Sequence, residues 1–295
     1  MDADRRTGWL LAVTGILLVS TDSLFIRLAE ADGLTIGFLV SLASLPIFVV
    51  LWRLEARRRP AAGRVQARPI AVVGVLGAVS SLSFITAVTR TDVANVVAIV
   101  AAAPVMAGVL ARFALGERVA RRVWVAMAGT TAGIAVVVWG SLGRPTLMGD
   151  LLAVSAVAAF SAAIVVWRRH PDLSRYLGLA VSSGLVVAAT APFVLPLAAS
   201  PRTYLAAGAM GLLFNPAGRI AHSTAPRFAP AAEVALFVPV ETVAATLWAW
   251  LAFAEVPRSS TVIGAVIIVA GVLHGTVGGI RRQRRSRSDS PAPSG

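Results

Sequence analysis

Three polar side chains lie at helical spacing within the eighth long apolar segment of this chain. Asn215, Arg219 and His222 occupy positions i, i+4 and i+7, so a helix places them on one face. Pro216 beside them has no amide hydrogen and should leave a carbonyl of the preceding turn without its helical partner. Interrupted helices with a polar stripe form ligand sites inside membranes, and a guanidinium recognises carboxylates and phosphates through forked hydrogen bonds. We therefore expect this face to bind a small ligand.

Two acidic residues lie inside other apolar segments. Asp22 is near the middle of the first segment, and Glu241 is within the ninth. A charged group at the centre of a bilayer costs about 2.5–3.5 kcal/mol, so each carboxylate needs a physical reason. Asp22 is interpreted as a ligand for substrate or a proton, the alternative being an ion pair that only locks helices together. Glu241 is either a structural partner of Arg219, which we favour, or a carboxylate that couples proton flow to substrate.

Other side chains are weaker candidates for the same site. Asn95 lies in the fourth apolar segment, and Trp248 shares a broad side of the ninth with Glu241. His222 is expected to be a polar lining group rather than a proton switch. Glu233, near the inner end of the ninth segment, is expected to cap a helix or line the entrance. The three histidines have no ligand spacing, so we expect no metal site and no cofactor.

The composition places these residues in lipid. Hydrophobic residues make up 57 % of the 295 residues and charged residues only 14 %, whereas soluble domains are about half apolar and a quarter charged. The net charge of +13 lies in short loops and a tail, which favours membrane anchoring over nucleic-acid binding. There is no cysteine, so disulfides and thiol chemistry are excluded.

The apolar stretches predict an all-α membrane protein with ten transmembrane helices. Each stretch is long enough to span a bilayer, which takes about 20 residues, and none shows the alternation of a transmembrane barrel strand. The predicted spans are 8–29, 34–54, 69–89, 92–114, 122–142, 148–168, 174–198, 203–224, 231–254 and 260–280. The chain has no lysine, so the distribution of arginines between the two sides predicts the orientation. Most arginines fall on one side, which places both termini in the cytoplasm. The predicted location is the cytoplasmic (inner) cell membrane.

The chain also contains an internal duplication. The stretch from Gly8 returns 141 positions later from Gly149, which aligns Arg27 with Arg168, and a second match aligns Glu117 with Glu255. Because each half has an odd number of spans, five, the second half enters the membrane inverted. The predicted parts are a tail (1–7), two repeats (8–143 and 144–280) and a basic, disordered tail (281–295). The repeated glutamates are expected to fix the loops that follow them rather than to touch substrate.

Several stretches resemble one family. APVMAGVLARFALGERV followed by WVAMAGTTAGIAVVVWG resembles the fourth and fifth helices of the EamA-type repeat in the drug/metabolite transporter superfamily. ETVAATLWAWLAFAEVP followed by IGAVIIVAGVLHG resembles the same pair in the second repeat, although Ala254 replaces the glycine that precedes the first repeat's glutamate. GDLLAVSAVAAFSAAIVVWRR is similar to the sixth helix. The resemblance implies ten helices, a central cavity between the halves, and movement of small metabolites, often export of amino acids.

These observations favour a secondary transporter, and other functions remain as alternatives. The chain lacks a GxxxxGK[ST] loop and an HExxH sequence, so neither an intrinsic ATPase nor a zinc peptidase is expected. Efflux of cationic compounds, or a non-transporting scaffold or sensor with the same fold, would use the same helices. The implied partners are the lipid bilayer and a small-molecule substrate, without nucleic acid, and the sequence does not determine the oligomeric state.

Overall fold

The computed structural model describes residues 2–58, 66–91, 93–139, 146–194 and 199–288. Within these ranges the regular structure is helical and contains no strand, which confirms the all-α prediction. The α-helices of this described part are α1 Asp2–Val19, α2 Asp22–Ala29, α3 Gly33–Arg58, α4 Ala67–Arg90, α5 Val93–Val100, α6 Ala103–Leu115, α7 Arg121–Val138, α8 Leu147–Arg169, α9 Arg175–Thr190, α10 Pro201–Ala209, α11 Asn215–Thr224, α12 Ala231–Ala235, α13 Val240–Phe253 and α14 Ser259–Ser288.

Among the described residues, nine helical stretches are long and apolar enough to cross a membrane. They are Ala3–Ala29, Gly33–Arg58, Ala67–Val88, Asn95–Leu115, Arg121–Val138, Leu147–Arg169, Arg175–Phe193, Ala231–Phe253 and Ser259–Thr276. Each corresponds to one of the ten predicted spans. A multi-pass membrane protein is therefore confirmed, while the number ten remains a prediction.

The predicted eighth span, 203–224, is helical but does not belong to those nine. It consists of α10, a π-helical turn at Met210–Phe214, and α11. The polar side chains of α11 make this stretch less apolar than its neighbours. The π turn precedes Pro216, and the amide of Asn215 bonds to the Met210 carbonyl. Since Pro216 has no amide hydrogen to donate, the helix widens locally into a π-helical turn before it.

Three of the apolar spans are broken in the middle. In the first, the Ser20 and Thr21 hydroxyls donate to the carbonyls of Leu17 and Leu18, both at 2.7 Å, between α1 and α2. Hydroxyls that bond backbone carbonyls compete with the helical ladder. The fourth span breaks between α5 and α6, and the ninth breaks between α12 and α13. Each break starts a new helix inside the bundle.

Close backbone packing holds neighbouring helices together at glycines. A Cβ on Gly264 of α14 would lie 2.5 Å from the carbonyl oxygen of Gly133 on α7. A Cβ on Gly15 of α1 would lie 2.9 Å from the carbonyl oxygen of Gly218 on α11. Contacts this short leave no room for a side chain. These glycines therefore let α14 pack on α7 and α11 pack on α1.

The predicted boundaries differ from the structure at both ends. Helix α1 begins at Asp2, within the predicted tail 1–7, and α14 continues to Ser288, although a disordered tail was expected from residue 281. Residues 289–295 and the predicted boundary between the repeats, at residues 143 and 144, lie outside the described residues. The division into two repeats therefore remains a prediction.

Candidate functional site

A cavity of about 250 Å³ lies among the helices and brings together most of the predicted polar residues. Its polar lining is formed by Asp22, Ser80, Ser81, Ser182, Asn215, Arg219, His222, Ser223 and Glu241. Its larger apolar lining is formed by Ile16, Val19, Val73, Phe160, Ile164, Trp167 and Leu179, and the small residues Gly77, Ala163 and Gly178 complete it. The cavity is therefore amphipathic.

Helix breaks position the acidic residues and the amide of this site. Asp22 lies in the first turn of α2, Glu241 lies in the first turn of α13, and Asn215 begins α11. The N-terminal turn of a helix has free amide groups and a positive dipole end, which favours a carboxylate there. The positive end of the helix dipole therefore lies near both carboxylates.

One oxygen of the Asp22 carboxylate accepts a hydrogen bond from the eighth span. The side-chain amide of Asn215 donates to Oδ2 of Asp22 at 3.2 Å. Oδ1 of Asp22 is buried and, within the described part of the chain, has no hydrogen-bond partner. A buried carboxylate oxygen without a partner is costly, so a ligand or a proton that bonds to it would be favoured.

Arg219 does not form the ion pair that was expected with Glu241. Its Nη2 donates to the Ser182 hydroxyl at 3.0 Å. Among the described residues, no carboxylate oxygen lies within 4.0 Å of its guanidinium nitrogens. The favoured interpretation of a structural Arg219–Glu241 ion pair is therefore wrong for this conformation. Both groups line the cavity separately.

His222 lies against an aromatic ring at the edge of the site. Its ring stacks on Phe160 with centroids 5.4 Å apart and an interplanar angle of 23°. The side chain is buried, and neither ring nitrogen has a hydrogen-bond partner among the described residues. The residue is thus part of the cavity lining.

Two predicted site residues do not line the cavity. Asn95 donates its side-chain amide to the Thr91 hydroxyl at 3.2 Å. Trp248 donates its indole N–H to the Ser20 hydroxyl at 2.9 Å, next to the break that precedes Asp22. Neither belongs to the cavity lining. Helical spacing predicts which residues share a face of one helix. It does not predict which neighbouring helix that face contacts.

Some lining residues had no clear signal in the sequence. Ser182 contacts Arg219, and Trp167 forms part of the apolar wall. Serines inside spans serve more often in helix packing than in ligand sites. The one available signal for Ser182 was its place in a pair of hydroxyl residues within the seventh span.

Glu233 and the two repeated glutamates lie outside this cavity. Glu233 is buried and accepts from Arg5 Nε at 2.7 Å and from the Trp9 indole at 3.0 Å. With Arg5 and Glu117 it lines a second cavity of about 170 Å³. Glu233 therefore bonds to side chains of the first span and does not belong to the main cavity.

Each repeated glutamate forms an ion pair. Glu117 accepts from Arg168 Nε at 2.7 Å, and Glu255 accepts from both terminal nitrogens of Arg27 at 2.6 and 2.8 Å. The hydrogen bonds from Arg27 hold the pKa of the Glu255 carboxyl below its ordinary value. Neither glutamate lines the main cavity.

Two comparisons with known proteins found similarity to this chain. The model of the EamA-like transporter family matches residues 6–139. A solved structure, described only as a crystal structure of a protein, superposes with a TM-score of 0.79 over 94 % of this chain and 98 % of its own, at 19 % identity. That likeness concerns the fold alone. No curated protein matches the chain. The family match over residues 6–139 supports an EamA-type transporter, as the sequence resemblance predicted, and the superposition supports the fold.

Proposed function

We propose that this chain is a secondary transporter that moves a small metabolite across the cytoplasmic membrane by alternating access. The proposal includes ten spans in two inverted repeats, with both termini in the cytoplasm. Its main support is one observation: breaks in the first and ninth spans and a π-helical turn in the eighth bring Asp22, Glu241 and Asn215 to the same cavity as Arg219. Discontinuous helices that meet at a central site are typical of secondary transporters.

The cavity favours a substrate with separate charged and apolar parts. An amino acid carries a carboxylate, which suits the guanidinium of Arg219, and an ammonium, which suits Asp22 or Glu241. Trp167 and Phe160 belong to the apolar lining that would receive an uncharged side chain. An amino acid or a related carboxylate-bearing compound is therefore the substrate class that we propose, and export is the direction that the family resemblance suggests.

The energy for transport against a gradient does not come from nucleotide hydrolysis by this chain. Since the sequence has no lysine, it has no nucleotide-binding loop of the GxxxxGK[ST] type. An ion gradient, exchange of substrates, or the gradient of the substrate itself must supply the energy. Asp22 and Glu241 are the residues that would carry a proton if the gradient is one of protons.

Efflux of cationic compounds is the second candidate. The cavity lining of the described residues contains two carboxylates against one guanidinium, which favours a ligand of positive charge. A cationic dye and an amino acid therefore separate the two proposals. A scaffold or sensor would move neither.

Flux into sealed liposomes tests the function directly. Purified protein is first screened by thermal shift against amino acids, nucleotides and cationic drugs, since a ligand that binds the folded state raises the melting temperature. Compounds that shift the melting temperature are then assayed for flux in proteoliposomes, with protein-free liposomes as the control. Saturable flux of an amino acid supports the proposal. Flux of cations alone supports the second candidate, and binding without flux of any compound contradicts both.

A further inference from the structure

We propose that the ion pairs Arg27–Glu255 and Arg168–Glu117 are two alternating latches, one at each membrane face. Each latch joins the two repeats and opens when the cavity opens toward its own face. The proposal rests on the proposed transport function and on the predicted duplication.

The two pairs are reciprocal in sequence. The duplication aligns Arg27 with Arg168, and it aligns Glu117 with Glu255. In each pair an arginine near the end of the first span of one repeat meets the glutamate that follows the fourth span of the other. A single ion pair between the repeats could be accidental. Because the same arginine–glutamate pair forms twice, between residues that the duplication aligns, we infer that both pairs have the same role.

The backbone before each glutamate has the same unusual conformation. Gly116 ends α6 with a φ of 68°, and Ala254 ends α13 with a φ of 55°. Both values lie in the left-handed region, which is costly for alanine. The fourth span of each repeat thus turns in the same way, and the glutamate that follows leaves the helix in the direction of the other repeat's arginine.

The two pairs lie at opposite ends of the bundle. Arg5 and Glu117 line the same small cavity, so the start of the first span is near the Arg168–Glu117 pair. Arg27 lies at the other end of this span, about 33 Å further along at 1.5 Å per residue. By the predicted orientation, the Arg168 pair faces the cytoplasm and the Arg27 pair faces outward.

The surroundings allow each pair to break reversibly. The side chains of Arg27 and Glu255 are 49 % and 52 % exposed, and those of Arg168 and Glu117 are 30 % and 21 % exposed. The Arg27–Glu255 pair is exposed and therefore weak, because water solvates both partners when they separate. The Arg168–Glu117 pair is partly buried, but Oε2 of Glu117 has no hydrogen-bond partner among the described residues, so this pair too is incompletely satisfied. Contacts of this kind can bias two conformations of the repeats without trapping either. Both pairs are formed in this structure, so it represents the conformation with both latches closed.

Labelling of a single cysteine in the cavity tests the proposal. The chain has no cysteine, and Ala163 lines the cavity, so Ala163→Cys supplies one reporter. A membrane-impermeant maleimide is applied to right-side-out and to inside-out vesicles. Glu255→Gln should raise the labelling rate from the outer face about two- to fivefold, and Glu117→Gln should raise it by a similar factor from the cytoplasmic face. The charge-reversed double variants R27E/E255R and R168E/E117R should return both rates toward the parent values.

Glu30→Gln is the matched control. Glu30 pairs with Arg202 at 2.7 Å at the outer end, with exposures of 65 % and 59 %. Glu30 aligns with Pro171 in the duplication, so this pair has no reciprocal partner. A direct buried contact, from the Thr203 hydroxyl to the Ala29 carbonyl at 2.8 Å, already joins α10 to α2. We therefore expect Glu30→Gln to leave both labelling rates unchanged.

The outcomes separate this proposal from the proposed function. The latches are disproved if Glu117→Gln and Glu255→Gln change labelling on the same face. They are also disproved if neither variant changes labelling while the parent is labelled from both faces. Neither result contradicts the transport function. A parent reporter that is labelled from one face only, together with absence of flux, contradicts the transport function itself. Opposite shifts by the two variants, with rescue by charge reversal, establish the latches.

Discussion

Asn215 donates a hydrogen bond from its side-chain amide to Oδ2 of Asp22 over 3.2 Å, and this contact joins the break in the first span to the π-helical turn in the eighth. Asp22 is in the first turn of α2, and Asn215 begins α11 after a π-helical turn. The bond orients one oxygen of the carboxylate and leaves Oδ1 without a partner among the described residues. Asp22 is thus held in place while keeping capacity for one further hydrogen bond.

Replacing Asp22 by Asn should impair transport strongly without unfolding the protein. The variant keeps the volume but loses the charge, and an interaction with a charged group is worth about 1.5–3 kcal/mol, or a factor of about ten or more. Initial flux in proteoliposomes should therefore fall at least about tenfold, with an unchanged melting temperature or a higher one.

Asp150→Asn is the matched control for this prediction. Asp150 lies in the first turn of α8 and accepts a hydrogen bond from the Thr91 hydroxyl at 3.2 Å, outside the cavity lining. We expect its flux to stay within about twofold of the parent. Equal loss of flux in both variants would show that any acidic residue at a helix start matters, and that the cavity has no special role.

Double-mutant cycles should distinguish contact from proximity. Asp22 and Asn215 are hydrogen bonded, so Asp22→Asn and Asn215→Ala should couple by about 0.5–3 kcal/mol in the free energy of unfolding. Arg219→Met and Glu241→Gln should couple more weakly, since no ion pair within 4.0 Å joins these described residues. Unfolding followed by tryptophan fluorescence in detergent measures both cycles. A stronger coupling between Arg219 and Glu241 would show that they pair in solution.

Exchange of the residues that end α13 and α6 should have opposite effects on stability. Ala254 has a φ of 55°, so Ala254→Gly should stabilise the protein by about 1 kcal/mol. Gly116 has a φ of 68°, and no atom of the described residues lies within 4 Å of the position that a Cβ would take. Gly116→Ala should therefore destabilise by about 1–2 kcal/mol through the backbone alone. Melting temperatures measured in one detergent check both signs, and a stabilising Gly116→Ala would contradict the assigned conformation.

A glycine in a tight contact should respond differently from one in open space. Gly264→Val places atoms against the Gly133 carbonyl, so α14 must move from α7 and the melting temperature should drop, at a cost of about 1–3 kcal/mol or more. Gly208 lies in α10, and no atom in the described part of the chain is within 4 Å of the position of a Cβ there, so Gly208→Ala should stabilise by roughly 0.5–1 kcal/mol. A neutral Gly264→Val would show that the two helices are not in close contact.

The outer latch should be insensitive to pH near neutrality. The hydrogen bonds from Arg27 lower the pKa of Glu255 from its ordinary value of 4.5. A carboxyl with a lowered pKa favours the paired state above its ordinary pKa, and this preference disappears as the pH falls through the lowered value. The ratio of outer-face labelling between Glu255→Gln and the parent should therefore be constant from about pH 7.5 to about pH 5.5 and approach one only below about pH 4. A ratio that already falls between pH 7.5 and pH 5.5 would contradict this assignment.

Much of the helix pattern followed from composition and periodicity. The nine apolar spans were predicted because each holds enough consecutive apolar residues to cross a bilayer. The breaks that position the candidate site were harder to predict. Pro216 indicated an interruption, but nothing comparable marked Ser20 and Thr21, because their effect depends on hydroxyls turning back to their own helix rather than outward.

The candidate site shows the same division. The polar residues Asp22, Asn215, Arg219 and Glu241 stood out in sequence because charge and amide groups are expensive in lipid, and the structure brings them to one cavity. Trp248 had an equally good helical position, yet its indole bonds to Ser20 instead. Spacing along one helix determines which residues share a face, and it contains no information on how far that helix is rotated against its neighbours.

The order of residues alone was sufficient to predict helices in lipid, an internal duplication and a small set of costly polar groups, since hydrophobic length and charge are local properties. Only the packed bundle decided that Arg219 bonds to Ser182 rather than Glu241. It also decided that Arg27 pairs with Glu255 and that Arg168 pairs with Glu117. Those contacts depend on distances of a few ångströms between segments far apart in the chain. Such distances result from close packing of all the helices together, which no single segment encodes.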